Sequence, residues 1–519
     1  MEQSPVFSIN YLNIHGLYNH DLKLDFRNTS NENPIYFIGK NGCYKSTVLE
    51  IIYAIFASFD APSVINRYDI DYELEYTIND SEVRVQKYGD KYDLEIYSTY
   101  YKENSSYGVK LDTIRRKLKK YLPIRIISFY AGENDRIKKM SETVLRSYDR
   151  MLTKELNRFI ESGDRYDEYT IPKRRYFHGN DDLIPILIAR AANNSKAEKI
   201  VRDVCQVESL DSIIFYSDFT LINKKKNMTI NEVDRLLSCF FPYIHDYIKI
   251  SDNTNEQLTE RYSITCHFDD IKDNYIKELL YEFYDFLAYE FKGNLYTYVK
   301  TQSGIVNDTQ LSQGQRQWAK IIGLLSLIND TNNIVLMDEP DAYMNPVWKY
   351  DFDKNIKQII GGACPGVDFI VTHDPLLING VPKEQIRVFE RSANDVSVSE
   401  PTTDTYGLGI DGILRSSYYG LTTTFDQRTS EKYYRRMSLY SKAINNELQD
   451  KTEKRELFEL TKELGDLPVF NSSIDYLYSD FLKLYSESKY SKKEYLTEEE
   501  IIEKREIMKK ILDSLFEDN

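Results

Sequence analysis

Along residues 7–26, apolar positions recur at Ile9, Leu12 and Ile14 and again at Leu22, Leu24 and Phe26, a pattern that predicts two strands. Residues 34–38 (PIYFI) predict a short buried strand. After a glycine-bearing loop, the stretch VLEIIYAIFASF from Val48 predicts a helix. Residues 71–97 alternate apolar and polar side chains, with turn signals at 79–81 and 89–90, so an antiparallel meander is expected. From about 140 to 290 the pattern turns largely helical without sustained heptads, which argues against a long coiled-coil arm. Residues 294–300 (NLYTYVK) read as a strand, and WAKIIGLLSLI from Trp318 as a helix. The run at 334–337 is apolar without interruption, the mark of a central strand of a parallel sheet, and 368–372 (DFIVT) reads as a second short apolar strand. Beyond about residue 405 several helical segments follow; the last has a capping box at Thr497 and Glu500 and one apolar face of Ile501, Met508, Leu512 and Leu515.

A chain of 519 residues is too long for one growing core, so a principal domain with a large insertion or a second domain is expected. The net charge of −15 argues against a surface built for sequence-independent nucleic-acid binding. Basic runs at 115–120 (RRKLKK), 173–175 and 224–226 and the pair Arg435 and Arg436 leave nucleic acid open as a partner, although such runs are ordinarily solvated faces. The five cysteines stand singly, without the paired spacing of a zinc site or disulfide framework. No apolar run approaches the roughly 18 residues of a spanning helix, and the N-terminal residues lack a signal-peptide pattern. A soluble, cytoplasmic chain that does not engage a membrane is expected.

The chemistry sits in four short segments. Residues 39–47 (GKNGCYKST) follow a strand and open a helix, where backbone N–H groups can wrap a phosphate and the helix dipole favours an anion. Gly39 and Gly42 shape that loop, Lys45 can reach the β and γ phosphates, and Ser46 can place a hydroxyl on Mg²⁺. The strict pattern fails at Tyr44, where a glycine is expected, so the loop risks strain or a clash with phosphate. Asp338 and Glu339 end the apolar strand at 334–337, at the strand end where ligands bind in open α/β sheets. Asp338 can hold Mg²⁺ and Glu339 can deprotonate a water, although an acidic strand end standing alone would merely meet solvent. His373 ends the second apolar strand, where an imidazole can contact a γ-phosphate. In residues 311–315 (LSQGQ), Ser312, Gly314 and Gln315 precede a helix and offer its start to an anion; alone they read as a plain N-cap.

In this order the segments resemble the ATP-binding-cassette (ABC) class of P-loop ATPases, particularly the branch with RecF and the chromosome-maintenance ATPases. The pattern GxNGxGKST is met at Gly39, Asn41, Gly42, Lys45, Ser46 and Thr47; LSQGQ is similar to the signature LSGGQ, with Gln313 for a glycine. By this resemblance Asp338 and Glu339 are the Walker B pair, Asp341 the D-loop residue and His373 the switch histidine. Residues 128–136 (SFYAGENDR) occupy the Q-loop position without a matching glutamine. Residues 338–346 (DEPDAYMNP) resemble the DEPxxxLHP variant of stand-alone anti-phage ATPases, namely the Septu and retron-associated PtuA-like proteins, the PARIS ATPase and the ATPase domains of the overcoming-lysogenization-defect nucleases. Residues 405–421 resemble the segment after the last core strand in that group.

The resemblance implies an α/β fold: an ABC-type ATPase head of a mixed sheet plus an antiparallel β subdomain, with a mainly helical insertion and a helical C-terminal region. Residues 1–135 and 294–404 are then the halves of the head, 136–293 the insertion and 405–519 the C-terminal region. It also implies ATP and Mg²⁺ as cofactors. Ser312 and Gly314 of one protomer would close on ATP held by Lys45 of another, in a head-to-head dimer or higher homo-oligomer. No TOPRIM or ββα nuclease motif is recognisable, so an effector such as a nuclease would be a separate protein under control of the nucleotide state. Two alternatives stand beside this reading: a RecF-like DNA-repair ATPase, and a slow or inactive nucleotide-gated scaffold caused by Tyr44.

Overall fold

The computed structural model describes residues 7–27, 34–98, 102–131, 136–146, 175–178, 188, 197–218, 246–252, 259–267, 294–326, 332–360, 367–391, 396–421, 424–444 and 448–465. The chain divides into two compact units, residues 1–420 and 421–519.

The hairpin β1 (Phe7–Leu17) and β2 (His20–Asp25) turns through Tyr18 and Asn19, with φ of 48° and 67°. Two positive φ angles are what a two-residue hairpin loop with matched twist requires. Strand β3 (Ile35–Gly39) is buried throughout and runs through the loop at 40–44 into α1 (Lys45–Ser58), which exposes little beyond Ser46. A helix buried on nearly every side is a core element rather than a surface one. The expected meander follows as β4 (Asp71–Ile78), β5 (Ser81–Tyr88) and β6 (Lys91–Tyr97), extended by β7 (Lys102–Val109). Together β2-β1-β4-β5-β6-β7 form a six-stranded antiparallel sheet. Helix α2 (Leu111–Leu118) carries the basic run at 115–120; there Arg115 donates to the carbonyls of Phe59 and Asp60 at 2.7 Å each, satisfying the C-terminal end of α1.

After β8 (Arg125–Tyr130), the described part of residues 136–293 holds a helical stretch over 136–146, β9 (Tyr176–His178), the short α3 (Glu198–Asp203) and three further strands, β10 (Ser209–Asp218), β11 (Asp246–Asp252) and β12 (Thr259–His267). With β13 (Asn294–Thr301) and β14 (Gly304–Asn307) they form a five-stranded antiparallel sheet in the order β11-β12-β10-β13-β14. This sheet stands beside the helical expectation for the insertion, most of which lies outside the described residues. Its strands are short and rich in Tyr, Ile, Ser and Thr, a composition that pairs well across a pleated surface and carries little helical periodicity.

The remaining elements complete the core: α4 (Gln313–Leu325), β15 (Asn333–Asp338), α5 (Pro346–Tyr350), α6 (Phe352–Ile360), β16 (Val367–Val371), β17 (Ile386–Arg391), β18 (Val396–Ser399) and α7 (Gly409–Arg415). A seven-stranded sheet runs β18-β17-β3-β16-β15-β8-β9, parallel from β17 to β9, with β18 antiparallel at the edge. Parallel pairing sends the loops after β3, β15 and β16 out of one edge of the sheet. A mixed sheet with an antiparallel companion is the ABC-type head architecture that the motifs imply.

Residues 405–420, assigned by sequence to the C-terminal region, fall within the first unit. Thr405 is buried and donates to the Val381 carbonyl at 2.8 Å, and the buried Tyr418 donates to the Thr403 carbonyl. In the second unit, α8 (Gln427–Ile444) and α9 (Lys451–Gly465) bury Leu439, Leu448 and Leu457 and exchange ion pairs such as Arg435–Glu456 at 2.8 Å and Lys442–Glu453 at 2.7 Å. The helix expected near 497–515 lies outside the described residues.

Candidate nucleotide site

Gly39 ends β3 at φ 137°, and a Cβ there would lie 2.2 Å from the Phe389 carbonyl oxygen of β17. The loop therefore leaves the sheet flush against its neighbour, an approach open only to glycine. Asn41 and Gly42 are exposed, and Gly42 takes φ 80°. No side chain caps α1, so the N–H groups of its first turn are left for an anion.

Tyr44 precedes α1 at φ 65° and ψ 15°, the left-handed conformation usually given to glycine. Its ring turns to the β1–β2 hairpin and stacks on Tyr18, with centroids 5.2 Å apart and planes at 23°. The guanidinium of Arg391 lies 5.6 Å from the Tyr44 centroid and donates to the Gly42 carbonyl at 3.3 Å. An offset aromatic pair and an overlying cation each contribute about 0.5–1.5 kcal/mol, enough to hold a side chain whose backbone costs about as much.

Lys45 is buried and folded back on its own loop, donating to the carbonyls of Gly39 at 2.9 Å and Lys40 at 3.0 Å. Burial lowers its pKa against the opposing pull of Cys43, Glu339 and Asp338. Its Nζ lies 3.5 Å from His373 Nδ1. Ser46 Oγ donates to Asp338 Oδ1 at 3.0 Å, and Thr47 is buried behind it. Asp338 ends β15 almost without exposure; burial pushes its pKa up to about 6 against the Ser46 hydrogen bond.

Glu339 follows at φ 49°, a second left-handed residue, with its N–H bonded to the Val371 carbonyl of β16 at 2.9 Å. Burial, and then the charges of Asp341 and Asp338, raise its pKa to about 8. His373 Nε2 lies 3.1 Å from Glu339 Oε1, within ion-pair range, and that oxygen has no hydrogen-bond partner among the described residues. Burial, then Lys45, lowers the His373 pKa. Burial thus disfavours the charged form of both members of the pair.

Lys45, Ser46, Asp338, Glu339 and His373 thus form one cluster at the edge of the parallel sheet. A hydroxyl and a buried carboxylate in hydrogen-bond contact are a donor set suited to Mg²⁺, and the glycine cradle with its uncapped helix suits a polyphosphate. Ser312, Gly314 and Gln315 have other neighbours. Ser312 caps α4, with Gln315 N–H reaching its Oγ at 3.3 Å and Gln315 Oε1 accepting from the Ser312 N–H at 2.8 Å, while Gln315 Nε2 reaches Gln206 Oε1 at 3.3 Å. A Cβ on Gly314 would lie 2.9 Å from both the Trp348 ring and the Tyr343 carbonyl. Gln317 Nε2 donates to the Pro340 carbonyl at 3.2 Å and ties α4 to the loop after Glu339. Asp341 is buried, bonded to Thr372 Oγ1 at 3.1 Å and to Lys349 Nζ at 3.0 Å.

In the Q-loop position, the Ala131 N–H reaches the Asp338 carbonyl at 3.2 Å and Arg136 reaches Glu50 at 3.3 Å, while 132–135 lie outside the described residues.

Sequence reasoning missed Tyr18, Arg391, Lys349 and Tyr419. The Tyr419 hydroxyl is buried without a hydrogen-bond partner among the described residues, and its pKa is raised by burial and then by Asp374, Glu339 and Asp341. Burial pulls Lys349 down, but hydrogen bonds to Asp374 and Asp341 carry it above its ordinary value. None of the four belongs to a motif, although Tyr419 lies within the segment 405–421.

No family model matches the chain. It is 28% identical over 164 residues to the Septu protein PtuA of Bacillus mycoides (strain KBAB4), covering 30% of this chain and 22% of that protein, about a fifth of its length. It is 23% identical over 425 residues to the Retron Vc95 probable ATPase of Vibrio cholerae serotype O1 biovar El Tor, covering 74% of each. The SMC head domain from Thermotoga maritima superposes over 76% of this chain and 99% of that domain, at 9% identity and a TM-score of 0.34. The chain is thus similar in sequence to a Septu protein and to a probable ATPase of a retron. Among the described residues no helix is long and apolar enough to cross a membrane.

Proposed function

We propose that the chain binds and hydrolyses ATP with Mg²⁺, as a subunit of a cytoplasmic anti-phage system that pairs through its heads and controls a separate effector, a nuclease, by its nucleotide state. The observation that carries the catalytic part is the convergence of Lys45, Ser46, Asp338, Glu339 and His373 at one sheet edge. The anti-phage part rests on the relatives and on the motif variant at 338–346. Gly39, Asn41 and Gly42 turn their backbone around the phosphates, Lys45 leaves the Gly39 and Lys40 carbonyls to reach them, and Thr47 supports the loop. Ser46 and Asp338 would hold Mg²⁺, which would supply neutralisation of phosphate charge there. Glu339 takes a proton from the attacking water, which requires its ionised form, and His373 contacts the γ-phosphate. Ser312, Gly314 and Gln315 of one protomer, with Asp341 beside them, meet the nucleotide of the other.

A second reading, a nucleotide-gated scaffold with slow turnover, is favoured by one observation: Tyr44 stands in the left-handed conformation at the start of α1 with its ring held between Tyr18 and Arg391. Faster phosphate release by Tyr44→Gly would identify the aromatic clasp as a brake.

The test is nucleotide binding by the purified chain and plaque counts in cells carrying it with its neighbouring genes. Lys45→Ala is expected to lose ATP binding and protection together. Protection at the wild-type level by Lys45→Ala would reject nucleotide control.

A further inference from the structure

Lys349 lies on α5, outside every motif, with its side chain 18% exposed. Its ammonium donates to Asp341 Oδ2 at 3.0 Å and to Asp374 Oδ2 at 2.7 Å. Asp341 lies two positions after Glu339 on the loop leaving β15, and Asp374 directly follows His373 on the loop leaving β16. The free oxygen of Asp341 accepts from Thr372 Oγ1 at 3.1 Å, and that hydroxyl oxygen accepts from the Asp374 N–H at 3.0 Å. Both loops are therefore knotted around one cation and one hydroxyl.

The local sequence builds this contact deliberately. Asn345 caps α5 through Oδ1, which accepts from the Trp348 N–H at 2.9 Å, while its carbonyl accepts from the Lys349 N–H at 3.1 Å; Pro346 fixes the first helical φ. The Asn345 cap thus sets the turn from which Lys349 reaches the two carboxylates. Charge makes the contact consequential. Asp338, Glu339, Asp341 and Asp374 leave two adjacent strands together, and Lys45 serves the opposite side of the cluster. Without Lys349, Asp341 would be a buried carboxylate left to repel Asp374.

We propose that Lys349 is a positioning residue of the ATPase site, fastening the loop of Asp341 to the loop of His373 and so setting the placement of His373 against Glu339. The proposal rests on the hydrolytic reading above, and its test separates the two. Full-length wild type, Lys349→Met and Lys349→Arg are compared by hydrogen exchange without nucleotide and by steady-state phosphate release. In Lys349→Met, peptides over 370–378 exchange faster while those over β4 to β6 stay unchanged; kcat falls about 10- to 100-fold with little change in KM. Lys349→Arg restores most of both, because a second cation can bridge the same carboxylates, and it decides the matter where the Met variant does not fold. Unchanged exchange and kcat in Lys349→Met, or equal losses in Met and Arg, overturn the proposal. A wild type that releases no phosphate rejects the hydrolytic reading alone, since exchange over 370–378 still reports whether Lys349 holds the loop.

Discussion

The rim and the floor of the candidate nucleotide site each contain a left-handed residue that is not glycine, Tyr44 at φ 65° and Glu339 at φ 49°. They are held in opposite ways. Tyr44 is fixed through its side chain, between Tyr18 and Arg391, on the half-buried face of the phosphate loop. Glu339 is fixed through its backbone, by the bond to Val371, while its carboxyl sits half-buried near the charges of Asp341 and Asp338. Strain at the rim is offset by a removable contact, whereas strain at the floor is built into the pairing of β15 and β16. The rim can therefore adjust without disturbing the sheet, and the floor cannot.

Substitutions at the floor should have the larger effects. Gly39→Ala places a methyl 2.2 Å from the Phe389 carbonyl at a φ hostile to alanine; a loss of about 3 kcal/mol or more in chemical denaturation is expected. A variant of wild-type stability would mean that β3 and β17 are not held this closely. Next comes pH. The folded pKa of Glu339, about 8, lies above its ordinary 4.5, so the native state holds the proton longer than the unfolded chain. Its contribution to stability is fully present below about 4.5 and is lost as pH rises through about 8. The melting temperature of nucleotide-free Glu339→Gln, relative to wild type, should thus climb across that window; a constant difference would place the carboxyl in solvent.

At the rim the effects are smaller. Both Tyr44→Gly and Tyr44→Ala lose the stacking, but only glycine relieves the left-handed backbone, so the glycine variant should be the more stable by about 1 kcal/mol. The reverse order would break the comparison by showing that Tyr44 is not left-handed. Smallest is Tyr18→Leu, with an expected loss of about 0.5–1 kcal/mol from the aromatic pair; no change at all would leave Tyr44 held by Arg391 alone.

The same division governs what could be read from the chain. Lys45, Ser46, Asp338, Glu339 and His373 were legible because each ends or follows an apolar strand, and parallel pairing must bring such ends together. Tyr44 was visible as a misfit, but its ring position was not, since it depends on a hairpin turn some twenty-six positions upstream. Lys349 and Tyr419 carried no local signal: each matters through a tertiary approach to carboxylates on other elements. Strands β10 to β12 were illegible for a different reason, because short apolar runs inside a long polar stretch fit helix and strand alike.

The central claim is that Glu339 works chemically at a site the chain assembles by itself from β3, β15 and β16. Phosphate release at saturating ATP and Mg²⁺, compared between wild type and Glu339→Gln, tests it most directly. The account predicts measurable release by wild type and at least about 100-fold less by the variant; equal rates for the two would contradict it.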